Sequence, residues 1–192
     1  MGRRLIVCLT GMPGAGKSTV ATFLKEKGFE SLTMGDAVRD EARSQGLEPT
    51  DANLGRLMLQ LREKYGQGAV ANLILKRLEE AAPGRSGRNI VIDGVRSVAE
   101  VEVLRRAGLV RLLAIHASQD IRFQHLRVRG RSDAPATASE FAGRDQRELS
   151  VGISEAIALA DESLSNNELT LEQLKKRACE IVDEWLSEAE KS

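Results

Sequence analysis

The sequence predicts an α/β fold: a five-stranded parallel sheet with helices on both faces. Three observations predict it. Strand-like and helix-like segments alternate along the chain, the order expected of parallel strands joined by crossover helices. The strand segments, Leu5-Ile-Val-Cys-Leu9 and Asn89-Ile-Val-Ile-Asp93 among them, are apolar without alternation, as strands covered on both faces must be. Between the first strand and the first helix stands Gly11-Met-Pro-Gly-Ala-Gly-Lys-Ser18, a G-x-x-x-x-G-K-[ST] pattern in the strand-to-helix context that makes it a phosphate-binding loop.

The elements follow in order. Val20, Ala21, Phe23 and Leu24 recur at helical spacing after the loop. Gly28 to Thr33 reads as a second strand, and Met34-Gly35-Asp36 leads into a helix from about Ala37 to Gln45, stopped by Gly46. Pro49 and Thr50 open a helix whose Leu54, Leu57, Met58 and Leu61 share one face. Gly66 and Gly68 break it, and Val70, Leu73, Ile74 and Leu78 form another apolar face before a loop at Pro83–Gly87. The third strand is Asn89–Asp93. Ser97 with Glu100 is a capping box for the next helix. Leu109–Ile115 is the fourth strand, and Ser118 starts a helix that runs to about Arg129. A polar turn, Gly130–Pro135, precedes a second capping box at Thr137 and Glu140, whose helix ends near Leu149. Ile153–Ala160 is a short helix, and 161–167 holds a weak fifth strand. Thr170 and Gln173 cap the last helix, where Leu171, Leu174, Ala178, Ile181 and Trp185 form a stripe expected to pack in the core.

Composition excludes several classes. With 28 basic and 28 acidic residues the net charge is zero, so nothing global favours nucleic acid or a membrane surface. Aromatics make up 3%, too few for base-stacking platforms along a single strand. No apolar run approaches the ~18 residues of a membrane span, and the opening residues run directly into a strand, so an intracellular, cytoplasmic protein is expected. Cys8 and Cys179 read as buried small hydrophobes in a reducing compartment. The 192 residues suit one domain.

The loop's chemistry follows from its parts. Gly11, Gly14 and Gly16 let backbone N–H groups turn inward on an anion. The helix beginning near Gly16 adds its partial positive charge. Lys17 reaches β- and γ-phosphate oxygens, and the Ser18 hydroxyl is placed to ligate Mg²⁺. Pro13, Ala15 and Thr19 complete the nucleotide-binding stretch. Ligands of such sheets bind at the carboxyl ends of the strands, which singles out Thr33–Asp36, Asp93–Arg96 and His116. Asp93 ends an apolar strand, as does a carboxylate that orients Mg²⁺ or its water shell. Asp36 suits either an acceptor-hydroxyl base or a helix cap. His116 is expected to be structural and His125 a surface residue.

Phosphoryl transfer needs positive charge around a migrating phosphoryl group, and guanidinium groups bind phosphate oxygens in pairs. Arg39, Arg96, Arg127, Arg131, Arg144 and Arg147 stand where that demand arises. Arg129 taken alone reads as a solvated charge.

The phosphate loop, Thr33-Met-Gly-Asp-Ala-Val-Arg39, Asp93-Gly-Val-Arg96 and Arg127-Val-Arg-Gly-Arg131 together resemble adenylate kinase and its nucleoside monophosphate kinase relatives. An archaeal group of adenylate-kinase-related P-loop proteins, some described as dephospho-CoA kinase-like, is most similar, over nearly the whole chain. The resemblance implies a P-loop NTPase fold with a helical acceptor-binding excursion at about 34–82 and a short lid at about 127–147. It implies transfer of the γ-phosphoryl of Mg-ATP to a small acceptor, foremost a nucleoside monophosphate such as AMP. A dephospho-CoA kinase-like activity stays open beside it, as does an ATP-operated switch acting on a protein or RNA partner. By the same resemblance Arg39 and Arg96 bind the acceptor phosphate, with Asp36 beside them on the acceptor side, and Arg127 and Arg131 clamp the donor. Arg144 and Arg147 complete the cage, and the loop at Asn166 and Asn167 lies against the donor adenine. Four departures stand out: Met34 replaces a small hydroxyl residue beside the acceptor base, the proline expected before Arg96 is Val95, the lid is a short turn without cysteines, and Glu168-Leu169 stands where relatives often carry a glycine.

Overall fold

The computed structural model describes residues 3–80, 88–129, 135 and 137–191. The loop expected at Pro83–Gly87, the turn at 130–134 with Arg131, and the side chain of Arg129 lie outside the described residues. Five strands, β1 (Leu5–Thr10), β2 (Glu30–Thr33), β3 (Ile90–Asp93), β4 (Leu109–His116) and β5 (Glu162–Ser165), form one sheet in the order β2-β3-β1-β4-β5. All four pairings are parallel, as the continuous apolar runs require. Helix α1 (Lys17–Glu26) follows the phosphate loop. Helices α2 (Met34–Ser44), α3 (Asp51–Tyr65) and α4 (Ala69–Glu80) lie between β2 and β3, with α5 (Val98–Leu104) between β3 and β4. Helices α6 (Gln119–Arg129), α7 (Ala138–Ser150) and α8 (Ile153–Ala158) separate β4 from β5, and α9 (Leu171–Lys191) ends the chain.

Strand β1 shows why both faces of the sheet are apolar. Its side chains alternate across the sheet, so Ile6 and Cys8 enter a core built with α2, α3, α4 and α5. Leu5, Val7 and Leu9 enter a second core with α1 and α9. Burial pushes the Cys8 thiol well above its ordinary value, consistent with an inert apolar role. The stripe on α9 is Leu174, Ala178, Val182, Trp185 and Ala189. Leu171 was expected in it but is exposed, and Ile181 is only partly buried, because the helical period carries the seam from 178 to 182.

The caps also refine the sequence reading. Helix α2 starts at Met34, because Thr33 Oγ1 accepts the Asp36 N–H at 2.9 Å. Thr170 and Gln173 form a reciprocal capping box. Ser97 caps Glu100 N–H as expected, but the Glu100 carboxylate accepts from the N–H of Arg96, one residue before the expected partner. Met34, expected beside the acceptor, is 1% exposed in the core with Ile92 and Val95.

Register determines where chemistry can gather. Leu9 pairs with Asp93 and Asp93 with Thr33, so the phosphate loop, Asp93 and the start of α2 leave the sheet along one carboxyl edge.

Candidate active site

The phosphate loop leaves β1 and turns into α1 through glycines at φ 136° (Gly11), 84° (Gly14) and 111° (Gly16). At two of these the surroundings admit no side chain. A Cβ on Gly11 would run into the backbone carbonyl of Ile115 on β4, and one on Gly14 would sit 2.5 Å from the Arg122 carbonyl of α6. The loop is therefore wedged between the sheet and α6 as well as bent. Gly16 is the N-cap of α1 and supplies no side-chain cap, and the helix's first turn carries no acid. The positive end of its dipole faces the loop, where it favours an anion.

Lys17 Nζ donates to the carbonyls of Gly11 (2.6 Å) and Met12 (3.1 Å), so the ammonium arches back over the loop. Burial, the largest influence, pushes it down to about 8. Arg96 and Arg144 act in the same direction, and Asp93 and Glu148 pull it back up. An incoming polyanion relieves what burial imposes.

The loop opens on a cavity of about 990 Å³ whose walls include Gly11, Pro13, Gly14, Gly16, Lys17, Ser18 and Thr19. The same cavity is lined by Asp36 and Arg39 from α2, by Asp93, by Arg96, and by Arg144 and Glu148 from α7. Arg39 donates to Asp36 Oδ1 at 2.7 Å. Burial works against the Asp36 carboxylate, but the Thr33 and Arg39 hydrogen bonds hold its carboxyl below the ordinary range. Arg96 donates through Nε to Glu148 Oε2 (2.6 Å), through Nη2 to Oε1 (3.3 Å) and through Nη1 to the Gly94 carbonyl (2.9 Å). Burial opposes the charge on Glu148 as well, yet Arg96, Lys17 and Arg144 outweigh it and hold the carboxyl down.

Several expected residues do not meet there. Arg127 is exposed, its guanidinium 5.7 Å over the Phe123 ring, and it does not line the cavity. It stands two positions after His125, about 200° around the helix, so one can face the loop only if the other faces away. Arg147 is exposed and also stands outside the cavity wall. Asn167 does not face the site either: its Oδ1 accepts the Ser118 N–H at 2.6 Å. Its neighbour Asn166 faces the cavity, buried, with Nδ2 donating to Ala15 O at 2.9 Å.

Four features of the site carry no local sequence signal for a role in it. His125, expected on the surface, is exposed but places Nδ1 2.9 Å from Gly14 O. Because a carbonyl only accepts, that nitrogen carries the proton. Arg122 holds Asp145 bidentately (2.9 and 2.6 Å), donates to Pro13 O (3.1 Å) and lies 4.9 Å over the Phe141 ring. This residue ties α6, α7 and the loop together. Glu148 reads in sequence as an ordinary surface partner four residues after Arg144. Glu100, 1% exposed, accepts the Arg96 N–H at 2.7 Å and Arg62 Nη2 at 3.1 Å, so α3 and α5 fix the backbone that presents Arg96.

The residues present fit a nucleoside triphosphate with Mg²⁺. The uncapped, acid-free helix start takes the phosphates, and Ser18 and Asp93 on the cavity wall are oxygen donors of the kind Mg²⁺ prefers alongside phosphate and water. Among the described residues no group of three or more His, Cys, Asp or Glu could hold a metal ion. No helix among the described residues is long and apolar enough to cross a membrane.

A family model described as an AAA domain matches residues 7–148. A UPF0200 protein of Pyrococcus abyssi is 41% identical over 181 residues, covering 93% of this chain and 95% of its own. The UPF0200 protein of Hyperthermus butylicus is 43% identical over 179 residues, covering 93% and 94%. That of Methanocaldococcus jannaschii is 39% identical over 187, covering 97% and 93%. Among solved structures, shikimate kinase from Bacteroides thetaiotaomicron superposes with a TM-score of 0.61 at 16% identity, over 93% of this chain and 98% of that one. Shikimate kinase from Acinetobacter baumannii in complex with shikimate gives 0.55 at 18%, over 96% and 94%. At these identities the structural likeness establishes a P-loop kinase-like fold and nothing narrower.

Proposed function

The chain belongs to the UPF0200 family and has a P-loop kinase-like fold, and on that premise we propose that it is an ATP-dependent phosphotransferase that moves the γ-phosphoryl group of Mg-ATP to a small acceptor. One observation carries the reading: the phosphate loop with Lys17 and the guanidinium groups of Arg39, Arg96 and Arg144 line a single cavity at the carboxyl edge of the sheet. Cations from four separate segments lining one cavity suit phosphoryl transfer, where catalysis is positioning and charge stabilisation.

In this reading loop N–H groups and Lys17 hold the β- and γ-phosphates, and Asn166 secures the loop from the donor side. Helices α2–α4 are the acceptor-binding excursion, and residues 127–147 form the lid that carries Arg127, Arg131 and Arg147 toward the donor when it closes. The acceptor oxygen, a phosphate oxygen of a nucleoside monophosphate or the hydroxyl oxygen of an alcohol such as dephospho-CoA, bonds to the γ-phosphorus as the bond from phosphorus to the β,γ-bridging oxygen breaks. ADP leaves with that electron pair, and where the acceptor is a hydroxyl Asp36 receives its proton. Arg96 and Arg144 face the charge that spreads over the migrating group. Ser18 and Asp93 would hold Mg²⁺, which would supply charge neutralisation of the β- and γ-phosphates. A nucleoside monophosphate such as AMP and dephospho-CoA are the acceptors the family resemblance puts first for testing.

Incubation with γ-labelled ATP, Mg²⁺ and a metabolite panel tests the proposal. Label should pass to an acceptor in the wild type and not in Lys17→Ala. Binding of ATP with no acceptor labelled across a broad panel would count against transfer.

A further inference from the structure

We propose that Glu148 and the ligand compete for one place: the side-on fork of Arg96 holds the Glu148 carboxylate and a phosphate group of the ligand in turn, so the phosphate binds there by displacing Glu148. The inference rests on the phosphotransferase reading and adds a regulating carboxylate to its site.

The fork itself is the first observation. Arg96 Nε donates to Glu148 Oε2 at 2.6 Å and Nη2 donates to Oε1 at 3.3 Å. Two parallel N–H groups meeting two oxygens of one anion is also the arrangement by which a guanidinium takes a phosphate. Glu148 therefore lies where two phosphate oxygens would, and the two anions exclude each other from that edge of Arg96.

The surroundings favour the exchange. Burial opposes the charge on Glu148, and Arg96, then Lys17 and Arg144, overcome it. All four side chains line the one cavity. A carboxylate brings a single negative charge to these cations, whereas a terminal phosphate brings roughly −1.5 to −2 and three strong acceptor oxygens. The exchange sets the stronger anion among the same three cations.

Glu148 is the partner that gives way. The backbone N–H of Arg96 is fixed by the buried Glu100 at 2.7 Å, and Nη1 by the Gly94 carbonyl at 2.9 Å. Glu148 stands two residues before the end of α7 at Ser150. Three residues earlier, Arg122 holds Asp145 at 2.9 and 2.6 Å, and Phe141 is 2% exposed, so α7 stays docked while the Glu148 side chain swings. Glu148 and Gly94 use three of the five guanidinium N–H groups of Arg96. A ligand content with the other two would leave Glu148 as a brace for Arg96, and losing Glu148 would then weaken binding instead of tightening it.

Calorimetric titration of the whole chain with Mg²⁺ tests the exchange in the wild type, Glu148→Gln, Arg96→Met and the double variant. One arm titrates a non-hydrolysable ATP analogue, whose terminal phosphate reports the donor. The other titrates orthophosphate onto protein saturated with that analogue and reports an acceptor phosphate. Glu148→Gln should tighten binding at least fivefold in at least one arm, which identifies the phosphate that takes the fork. In the Arg96→Met background the same substitution should change that binding less than twofold. Glu148→Asp keeps the charge but draws it back from the fork. It should tighten the same arm at least twofold, and it carries the test if thermal denaturation shows that the Gln variant does not fold. Unchanged or weaker binding in both arms would overturn the inference, as would equal tightening with and without Arg96. Failure of the analogue to bind the wild type would instead defeat the phosphotransferase reading.

Discussion

The buried carboxylate of Glu100 accepts the backbone N–H of Arg96 at 2.7 Å, while its other oxygen accepts Arg62 Nη2 at 3.1 Å. The guanidinium that faces the cavity is therefore aimed by a residue that never touches it. Arg62 and Glu100 are 6% and 1% exposed, and Arg62 Nε and Nη1 have no partner among the described residues. The pair is finely balanced: it serves position more than stability.

Glu100→Gln should lose about 3–5 kcal/mol, because it strands the Arg62 charge in the core. Combining it with Arg62→Met should recover much of that loss. Urea denaturation of the three variants checks both statements, and equal losses in the single and double variants would refute the account.

Lys17 makes nucleotide binding pH-dependent. Its ammonium is pushed down to about 8 in the folded protein, against about 10.4 in an unfolded chain. From pH 8 to about 10.4 the unfolded state binds more protons, so this residue's contribution to stability rises with pH across that window. Below pH 8 both states are protonated and its penalty is fully present. Bound phosphates favour the charged form, so binding above pH 8 takes up a proton and affinity falls as pH rises through 8. Calorimetry at pH 8.5 in two buffers of different ionisation enthalpy should reveal that uptake in the wild type and not in Lys17→Ala.

Gly11→Ala should cost more than about 2 kcal/mol and abolish nucleotide binding. The φ of 136° strains any other residue, and the new Cβ meets the rigid backbone of β4 at Ile115. Thermal denaturation with and without ATP measures both effects. A variant that unfolds and binds like the wild type would show the loop to be loosely seated.

Asn166→Ala should weaken ATP binding and cost about 1–3 kcal/mol, since it leaves the Ala15 carbonyl without its buried donor. Asn167→Ala removes the acceptor for Ser118 N–H, so stability should fall with a smaller change in ATP affinity. Titrations of the two variants separate the roles of the adjacent asparagines.

Trp185→Ala should lose about 3–5 kcal/mol with ATP affinity retained, because the indole is 6% exposed in the core beneath α1 and β1. Urea denaturation alongside ATP titration tests it. A surface role would leave stability within about 0.5 kcal/mol.

The residues by themselves determined the phosphate loop, its strand and its helix, the parallel sheet, and the caps at Thr137 and Thr170. The loop, its strand and helix and the caps are written in spacings of a few residues that need no distant partner, and the parallel sheet is written in the alternation of elements and the unbroken apolar runs. Only the tertiary structure decided which charges share the cavity. Arg96 meets Glu148 across 52 residues, Arg62 meets Glu100 across 38, Arg122 reaches Pro13 across 109 and His125 reaches Gly14 across 111. The placement of Asn167 on Ser118 and of Arg127 over Phe123 has the same origin. Which way a side chain points depends on the phase of its helix or the turn of its loop as that element packs, and a rotation of one or two residues exchanges a ligand for a surface group.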